Sequence, residues 1–368
     1  MSDSNNAPLL TICVPTYNRS SYLKVMLEAL LPQVKTQAKD VEVWILDNAS
    51  TDQTQAILKE CNSLGPFQVK IQPENVGPNQ NIVDGPSKLA RGIYTWVLGD
   101  HNLLAPNALS RVLKTIKNSP EYEIFYVNYL AASYPQDWPT SAIGGHIGRF
   151  DYVGHKLAKE GRVERWSELL QPHNAICTQN YVHIIKTDYW REFWKDRQIT
   201  VNYISAITTY PHTVTAIETL FSQPSYVVAE PCMTIFNGAQ SWNNPHTKLK
   251  VYYVGLPDLI YVIEKKQGKA YSSKALWQEF FFPESTRLSL EILKNRGVLT
   301  GTVLHLRYLG LKPRCWGAFL AALPQACFPN LSRQSLKAVQ KLKNHRGWYL
   351  FNCRPVRWLR NFLSSRNA

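Results

Sequence analysis

Residues 9–19 read LLTICVPTYNR, an apolar run that Pro15 closes and that polar residues follow at once. The apolar part is typical of a buried β-strand. Residues 20–33 come next with leucine and methionine at helical spacing, and Val41–Asp47 (VEVWILD) is a second apolar run. Strand, helix and strand in this order, with strands that are apolar throughout, indicate a parallel sheet covered by helices on both faces.

The alternation of strand and helix patterns continues along the chain. Further strands are predicted at residues 67–72, 94–98, 124–129, 175–185 and 226–229, and further helices at 55–61, 79–89, 189–193 and 213–221. From about Lys248 onward the pattern is helical. The sequence therefore predicts an α/β fold with a Rossmann-like, mostly parallel sheet, followed by a helical C-terminal region.

Polar residues follow the first, second and fourth predicted strands. They are Thr16 to Arg19, Asp47 with Asn48, and the group of residues 100–102, which reads Asp-His-Asn. In open parallel sheets the ligand lies beyond the carboxyl ends of the strands. We therefore expect these three polar groups to meet at one edge of the sheet and to form a binding site there.

Four motifs of the chain are similar to those of the family 2 glycosyltransferases of the GT-A fold. They are TICVPTYNR (11–19), VWILDNASTD (43–52), NVG (75–77) and ARGIY (90–94), in the family's order. The branch that the chain resembles most is the abequosyltransferase-like one, which builds bacterial surface polysaccharide. The resemblance implies transfer of a sugar, with inversion, from a nucleotide-sugar donor to a glycan or polyprenyl-phosphate-linked acceptor.

The resemblance also implies a set of donor-binding residues. They are Pro15, Thr16, Tyr17, Asn18, Arg19, Asp47, Asn48, Asn75, Asn79, Gly99, Asp100 and His101. Tyr17 is expected to stack on the base, Arg19 to meet phosphate, and Asp47 to accept from the base or the ribose. Asp52 has two open interpretations, a donor contact or a cap for the helix that begins near Thr54.

The stretch GDHNLL (99–104) departs from the family pattern. Members of the abequosyltransferase-like branch tend to have Gly-Asp-Asp-Asp-Leu-Leu there, and in the family this cluster binds a divalent cation, Mn²⁺ or Mg²⁺, that neutralises the leaving nucleoside diphosphate. Here Asp100 and Asn102 remain as candidate ligands, and His101 would suit Mn²⁺ better than Mg²⁺. Three alternatives stay open: an altered metal site, metal-free stabilisation by His101 and a nearby Arg or Lys, or loss of catalysis.

The acceptor side has two candidate residues. Relatives often place a Glu-Asp pair at the start of a helix, where this chain reads Tyr-Pro-His, so His212 is the candidate catalytic base. Its alternative role is that of an N-terminal helix residue satisfied by the backbone. Trp242 ends a Gly/Asn-containing segment, FNGAQSW, that resembles an acceptor-binding segment of the abequosyltransferase-like branch.

The charge of the chain is concentrated at its C-terminal end. The 368 residues carry a net charge of +14, yet the last acidic residue is Glu291, so the five Lys and nine Arg that follow account for the whole excess. This basic segment (292–368) is also rich in Trp, Phe and Tyr, which is typical of a segment that lies on an anionic membrane. A packed helix pair is the alternative, and nucleic-acid binding is less favoured.

Composition bounds the remaining possibilities. With 45% hydrophobic and 12% aromatic residues the chain is globular, and its seven scattered cysteines indicate reduced thiols rather than a zinc site. The patterns predict a GT-A domain at 1–247, with a nucleotide-sugar half (1–106) and an acceptor half (107–247), and a basic helical region at 248–368. The expected location is cytoplasmic, peripheral on the inner membrane face, because neither a secretory signal nor a spanning segment is evident.

The missing acidic residues also support a rival function. A chain that lost its metal ligands and its Glu-Asp pair could act as a non-catalytic binding protein for sugar nucleotides or glycans within an assembly. Turnover of a nucleotide sugar distinguishes this hypothesis from the transferase.

Overall fold

The computed structural model describes residues 7–133, 150–153, 159–171, 178–200, 203–237, 244–267, 274–309 and 313–327. The described residues fall into two compact units that divide after Ser241, except that the short piece Tyr203–Ser205 belongs to the second unit. We call the first the sheet unit and the second the helical unit. The boundary predicted between residues 247 and 248 stays a prediction.

The sheet unit contains ten strands among the residues that the structure describes. They are β1 (Leu10–Thr16), β2 (Val41–Asp47), β3 (Gln68–Ile71), β4 (Tyr94–Val97), β5 (Leu103–Leu104), β6 (Ile124–Ser133), β7 (Phe150–Val153), β8 (Gly161–Val163), β9 (His183–Lys186) and β10 (Ser225–Asn237).

Seven α-helices accompany these strands in the described part of the sheet unit. They are α1 (Ser20–Thr36), α2 (Thr54–Cys61), α3 (Pro78–Asp84), α4 (Ala108–Asn118), α5 (Thr187–Trp194), α6 (Ala206–Thr209) and α7 (Pro211–Leu220). A π-helical turn (Gly85–Leu89) continues α3, and two short 3₁₀ turns lie at Trp166–Leu169 and Asn180–Val182.

The strand order is β3-β2-β1-β4-β9-β6-β10-β5, with β7 paired to β6 and β8 paired to β10. Strands β3, β2, β1 and β4 are mutually parallel, and β6 and β10 are parallel to each other. Strand β9 is antiparallel to both of its neighbours, β4 and β6, so β6 and β10 run in the same direction as β1. The predicted mostly parallel α/β sheet is confirmed.

The central strands are apolar because both of their faces are covered. Leu10, Ile12 and Val14 of β1 are buried, and so are the adjacent residues Thr11 and Cys13, which point to the other face. This burial on both faces explains why the sequence shows continuous apolar runs rather than alternation.

Strand β9 is shorter than the sequence pattern predicts. The pattern at 175–185 predicts one continuous strand, whereas the described chain forms a 3₁₀ turn at Asn180–Val182 and a strand only from His183. The first part of that prediction, through residue 177, lies outside the described residues. The apolar run is explained instead by burial of Tyr181 and Val182 in the turn.

The helical unit contains α8 (Pro245–Lys250), α9 (Leu256–Gln267), α10 (Phe282–Arg296), α11 (Val298–Leu309) and α12 (Pro313–Cys327), with π-helical turns at Val251–Gly255 and Leu276–Phe281. Helix α10 packs against both α11 and α12. Within the described chain, none of the helices combines the length and the apolar character that a bilayer crossing requires.

Candidate functional site

The carboxyl ends of β2, β1 and β4 lie side by side, in the order that the sheet imposes. The register places Thr16 opposite Asp47, and the amide of Leu98 donates to the carbonyl of Cys13 over 2.9 Å. The turns that follow β1 and β4 are joined directly, because Thr16 Oγ1 donates to Asp100 Oδ2 over 2.9 Å. The strand-end groups that the sequence predicts to meet therefore share one edge of the sheet.

Asp100 is the centre of a buried polar cluster. Its Oδ1 accepts from Arg19 Nε over 2.9 Å and lies 3.0 Å from His101 Nδ1, while Thr16 binds its Oδ2. Burial alone would raise the pKa of Asp100, but the hydrogen bond from His101, the charge of Arg19 and the hydrogen bond from Thr16 together hold it below its usual value. The carboxylate is therefore ionised near neutral pH.

Asn102 faces the same turn with its amide. The backbone amide of Gly99 donates to Asn102 Oδ1 over 2.6 Å, and Asn102 Nδ2 is buried without a hydrogen-bond partner among the residues that the structure describes. A Cβ on Gly99 would lie 2.9 Å from Asn102 Oδ1, so any other residue at this position would require the Asn102 side chain to move. The unsatisfied group of the asparagine is therefore an N–H donor rather than an oxygen.

A divalent cation does not fit this arrangement. Such ions bind oxygen ligands, preferably several charged ones, and here the single carboxylate of Asp100 already pairs with the Arg19 cation and has His101 beside the same oxygen, while Asp100 Oδ2 and Asn102 Oδ1 each accept one hydrogen bond. Among the residues that the structure describes, no three side chains of the metal-binding kinds (His, Cys, Asp, Glu) lie close enough together to hold an ion. The predicted ligand pair, Asp100 and Asn102, is not supported by this donor chemistry.

The loop after β1 is tied to the loop after β2. Asn18 adopts a left-handed conformation (φ 51°), and its side chain accepts from the amide of Thr51 over 2.7 Å. The amide of Asn18 donates to Ser50 Oγ over 2.9 Å. Tyr17 precedes this turn and is 39% exposed, while Pro15 is half-buried. Tyr17 is thus one of the predicted donor contacts whose side chain is open to a ligand.

Asp47 and Asn48 use their side chains inside the protein. Asp47 is fully buried, and its two oxygens accept from the amide of Ser50 and from Gln55 Nε2. Asn48 donates to Asn75 Oδ1 and accepts from the amide of Val76, both over 2.9 Å. Both residues shape the loops around the site, and direct donor contacts by them stay a prediction.

Asn75 and Asn79 likewise have partners within the protein. Asn75 Oδ1 accepts from the amide of Gly77 over 2.9 Å as well as from Asn48. Asn79 Nδ2 donates to the carbonyl of Thr208 over 2.6 Å, which joins α3 to α6. The structure therefore gives Asn79 a role in holding two helices together, and its predicted contact with the donor stays untested.

Asp52 binds the free amides at the starts of two helices. Its Oδ1 accepts from both the amide and the hydroxyl of Thr54, the first residue of α2, and its Oδ2 accepts from the amide of Ser20, the first residue of α1. The N-cap position of α2 is Gln53, whose side chain makes no capping bond, so Asp52 acts from one residue before it. These contacts favour the helix-start interpretation of Asp52, and a donor contact by it stays a prediction.

His212 lies in the interior. It is the second residue of α7, is buried, and packs 6.4 Å from the ring of His183 and 6.5 Å from the ring of Tyr210. Burial lowers the pKa of His212 to about 3, with the backbone of Thr178 opposing the shift. A group with so low a pKa is a weak proton acceptor, so these surroundings do not support the predicted base role.

One predicted residue has no described position, and some contacts of the site were not predicted. Trp242, the predicted acceptor contact, lies outside the described residues. Sequence reasoning missed the loop contacts of Ser50 and Thr51 and the pairing of Arg19 with Asp100. The pairing depends on the order of the strands in the sheet, which puts the ends of β1 and β4 side by side.

Comparison with known proteins places this site in a family. The family model described as "Glycosyl transferase family 2" matches residues 11–195, half of the chain. Abequosyltransferase RfbV of Salmonella typhimurium is 36% identical over 113 residues, which are 30% of this chain and 33% of that protein. Chondroitin synthase of Escherichia coli is 35% identical over 108 residues, or 29% of this chain and 15% of the synthase.

Among solved structures, S. aureus TarS in complex with UDP-GlcNAc is similar over 86% of this chain and 82% of that chain, with 16% identity and a TM-score of 0.49. The matched part spans a third or less of the length of each of these two relatives. The family match and the sheet order described above confirm the predicted GT-A architecture. Because the family model matches residues 11–195 and these residues form most of the α/β sheet, the chain belongs to glycosyl transferase family 2.

Proposed function

We propose that the protein transfers a sugar from a nucleotide-sugar donor to a glycan or polyprenyl-phosphate-linked acceptor in the synthesis of a cell-surface polysaccharide. The observation that carries the proposal is the hydrogen-bonded junction of the β1 and β4 ends, Thr16 to Asp100, in a chain of glycosyl transferase family 2. The abequosyltransferase and chondroitin synthase relatives support a role in polysaccharide synthesis. Family membership favours catalysis over the non-catalytic binding protein.

The strand ends offer the groups that such a donor needs. Tyr17 is exposed and can stack on the base, and Arg19 is placed to meet the diphosphate. In the proposed reaction an acceptor hydroxyl attacks the anomeric carbon, the bond from that carbon to the phosphate oxygen breaks, and the nucleoside diphosphate leaves with the bond electrons. The hydroxyl proton passes to a base of the acceptor half.

A panel of UDP-, GDP-, CDP- and dTDP-sugars tests the donor. We expect one nucleotide class to raise the melting temperature of the purified protein, since a ligand at one hundred times its Kd stabilises the folded state by about 2.7 kcal/mol. With that donor, the protein should release the nucleoside diphosphate in the presence of a polyprenyl-phosphate-linked acceptor. Binding without any turnover would favour the non-catalytic alternative, and no binding would contradict both.

A membrane surface is the proposed location of the acceptor, on the inner face of the plasma membrane. The composition of the basic segment (292–368) supports it, although the structure describes only its residues up to 309 and 313–327. Within that part, α11 exposes an apolar stripe of Leu299 (81% exposed), Val303 (50%) and Leu306 (51%). These positions recur at helical spacing and so share one face.

Exposed cations lie in the same segment of the chain as this apolar stripe. Lys294, Arg296 and Arg307 are exposed, and no acidic residue follows Glu291 in the sequence. An apolar helix face in a segment that carries cations and no acidic residue matches the interface of an anionic lipid bilayer. The occupant that we propose for the stripe is therefore a lipid surface.

The variant Leu299→Ser/Val303→Ser/Leu306→Ser is expected to bind vesicles of phosphatidylglycerol and phosphatidylethanolamine roughly 10–100-fold more weakly than the wild-type chain. The three serine side chains gain nothing from leaving water for the lipid, whereas a fully buried leucine contributes about 1.5–3 kcal/mol to binding. Vesicle co-sedimentation measures the effect. Thr300→Ser, an exposed change on the same helix, is the control. Equal binding by the triple variant would contradict the role of the stripe.

A further inference from the structure

We propose that the Arg19 guanidinium binds the donor diphosphate in this protein, in the place where its family uses a divalent cation, and that Asp100 is the residue that positions it. The inference rests on the proposed function, because it concerns the same donor. It arises from the disagreement between the family's metal and the donor atoms that this chain presents.

Every side-chain oxygen of Asp100 and Asn102 already accepts at least one hydrogen bond. Asp100 is the one carboxylate left in the GDHN turn, and Arg19, His101 and Thr16 all bind it within 3.0 Å. The oxygen of Asn102 accepts from the amide of Gly99. An ion at Asp100 would have to compete with the Arg19 guanidinium, which already pairs with the carboxylate. The cation beside this acid is therefore an arginine rather than a metal ion.

The atoms left over are N–H donors. Arg19 Nη2 and Asn102 Nδ2 are buried, and neither has a hydrogen-bond partner among the described residues. A buried donor without a partner destabilises the protein, and more so when the group is charged. Such donors are complementary to phosphate oxygens, and a guanidinium binds phosphate with short, charge-assisted hydrogen bonds. The unsatisfied donors therefore point to an anion as the missing partner.

Arg19 is held in one orientation from two sides. Its Nε donates to Asp100, and its guanidinium lies 4.0 Å above the centre of the Tyr22 ring. The side chain is only 12% exposed. With Nε and one face of the group engaged, Nη2, which has no partner among the described residues, is held in a fixed direction. Because little conformational freedom is left to lose, binding of a diphosphate is favoured.

Charge balance gives the same result. In the family pattern three adjacent carboxylates repel a diphosphate until a cation neutralises them. In this chain His101 and Asn102 replace two of them, and Arg19 neutralises the third. The cluster is therefore receptive to an anion without any metal.

Isothermal titration of the full chain with UDP, GDP, CDP and dTDP tests the inference, each in EDTA and in Mn²⁺. We expect the nucleoside diphosphate that binds to have the same affinity in both buffers, within about threefold. Arg19→Gln should weaken its binding roughly 10–100-fold, since a charge-assisted bond contributes about 1.5–3 kcal/mol. Binding of the corresponding free nucleoside should change by less than about threefold.

The controls separate this inference from the proposed function. Arg165→Gln, at an exposed arginine paired with Glu168, should leave the affinity unchanged. Arg19→Lys keeps a charge but loses the fork, so a roughly tenfold weakening is expected, and it serves as the test if Arg19→Gln does not fold. Wild-type affinity in either Arg19 variant would overturn the inference.

The titrations in EDTA and in Mn²⁺ distinguish failure of this inference from failure of the proposed function. If EDTA abolishes binding of the nucleoside diphosphate and Mn²⁺ restores it, the inference is overturned while the proposed function stands. If neither nucleoside diphosphates nor nucleotide sugars bind in either buffer, both are overturned.

Discussion

Asp100→Asn is expected to lower the apparent free energy of unfolding by about 3–5 kcal/mol, because it leaves a buried guanidinium without its counter-charge. Arg19 Nε lies 2.9 Å from Asp100 Oδ1, and only 12% and 6% of the two side chains are exposed. Removing one partner of such a pair is costly, whereas removing both is far less so. Urea unfolding followed by tryptophan fluorescence measures the change.

A double-mutant cycle measures the interaction energy between Arg19 and Asp100. Arg19→Met/Asp100→Asn should be less destabilised than the sum of the two single variants by at least about 2 kcal/mol. The exposed pair of Lys117 and Asp40, 2.7 Å apart, is the matched control, and Lys117→Met with Asp40→Asn should show a coupling below about 1 kcal/mol. Additive effects of the Arg19 and Asp100 substitutions would contradict a stabilising pair.

Gly92→Ala is expected to lower the apparent free energy of unfolding by about 3 kcal/mol, since the new methyl group collides with backbone atoms of β1. A Cβ at this position would lie 2.6 Å from the Thr11 nitrogen and 2.8 Å from the Leu10 carbonyl carbon. Gly92 also donates its amide to Thr11 Oγ1 over 2.8 Å and accepts from Thr187 Oγ1 over 2.6 Å. Relief of the clash would separate β4 from β1 and break these bonds.

The neighbouring residue provides the control for Gly92→Ala. Ile93 is half exposed, so Ile93→Ala should change the free energy of unfolding by less than about 1 kcal/mol. Both variants are measured by urea unfolding, with the slope against urea concentration compared to exclude a change in the unfolded state. A Gly92→Ala protein with the wild-type midpoint would show that the two strands adjust without cost.

The resemblance to family 2 glycosyltransferases already contains Gly92, within the ARGIY motif, but the motif does not say why glycine is needed. The reason lies in the spacing of β1 and β4, which pair with Leu10 opposite Tyr94 and Thr11 opposite Thr95. A sequence motif shows that glycine occupies this position, but it does not show which atoms lie next to it. The approach of a second strand to within contact distance is visible only in three dimensions.

Burial of polar residues was the hardest property to predict. Asp47 and Asn79 follow the expected positions for donor contacts, yet each has its polar atoms engaged with the protein's own loops and helices. His212 stands at a helix start, as predicted, but its ring turns into the interior beside His183. Whether a polar side chain at a strand or helix end turns outward or inward depends on what the rest of the fold packs against it.

The amino-acid sequence by itself determined the fold class, the strands whose ends form the site, and the replacement of two carboxylates in GDHNLL, because apolar periodicity and residue type are local properties. The tertiary structure alone decided that Arg19 pairs with Asp100, 81 residues away, and that Asn102 presents an N–H donor. Those contacts depend on the order β2-β1-β4 in the sheet and on the turn that Gly99 permits. Partners so distant in sequence are brought within hydrogen-bonding distance only when the parallel strands align.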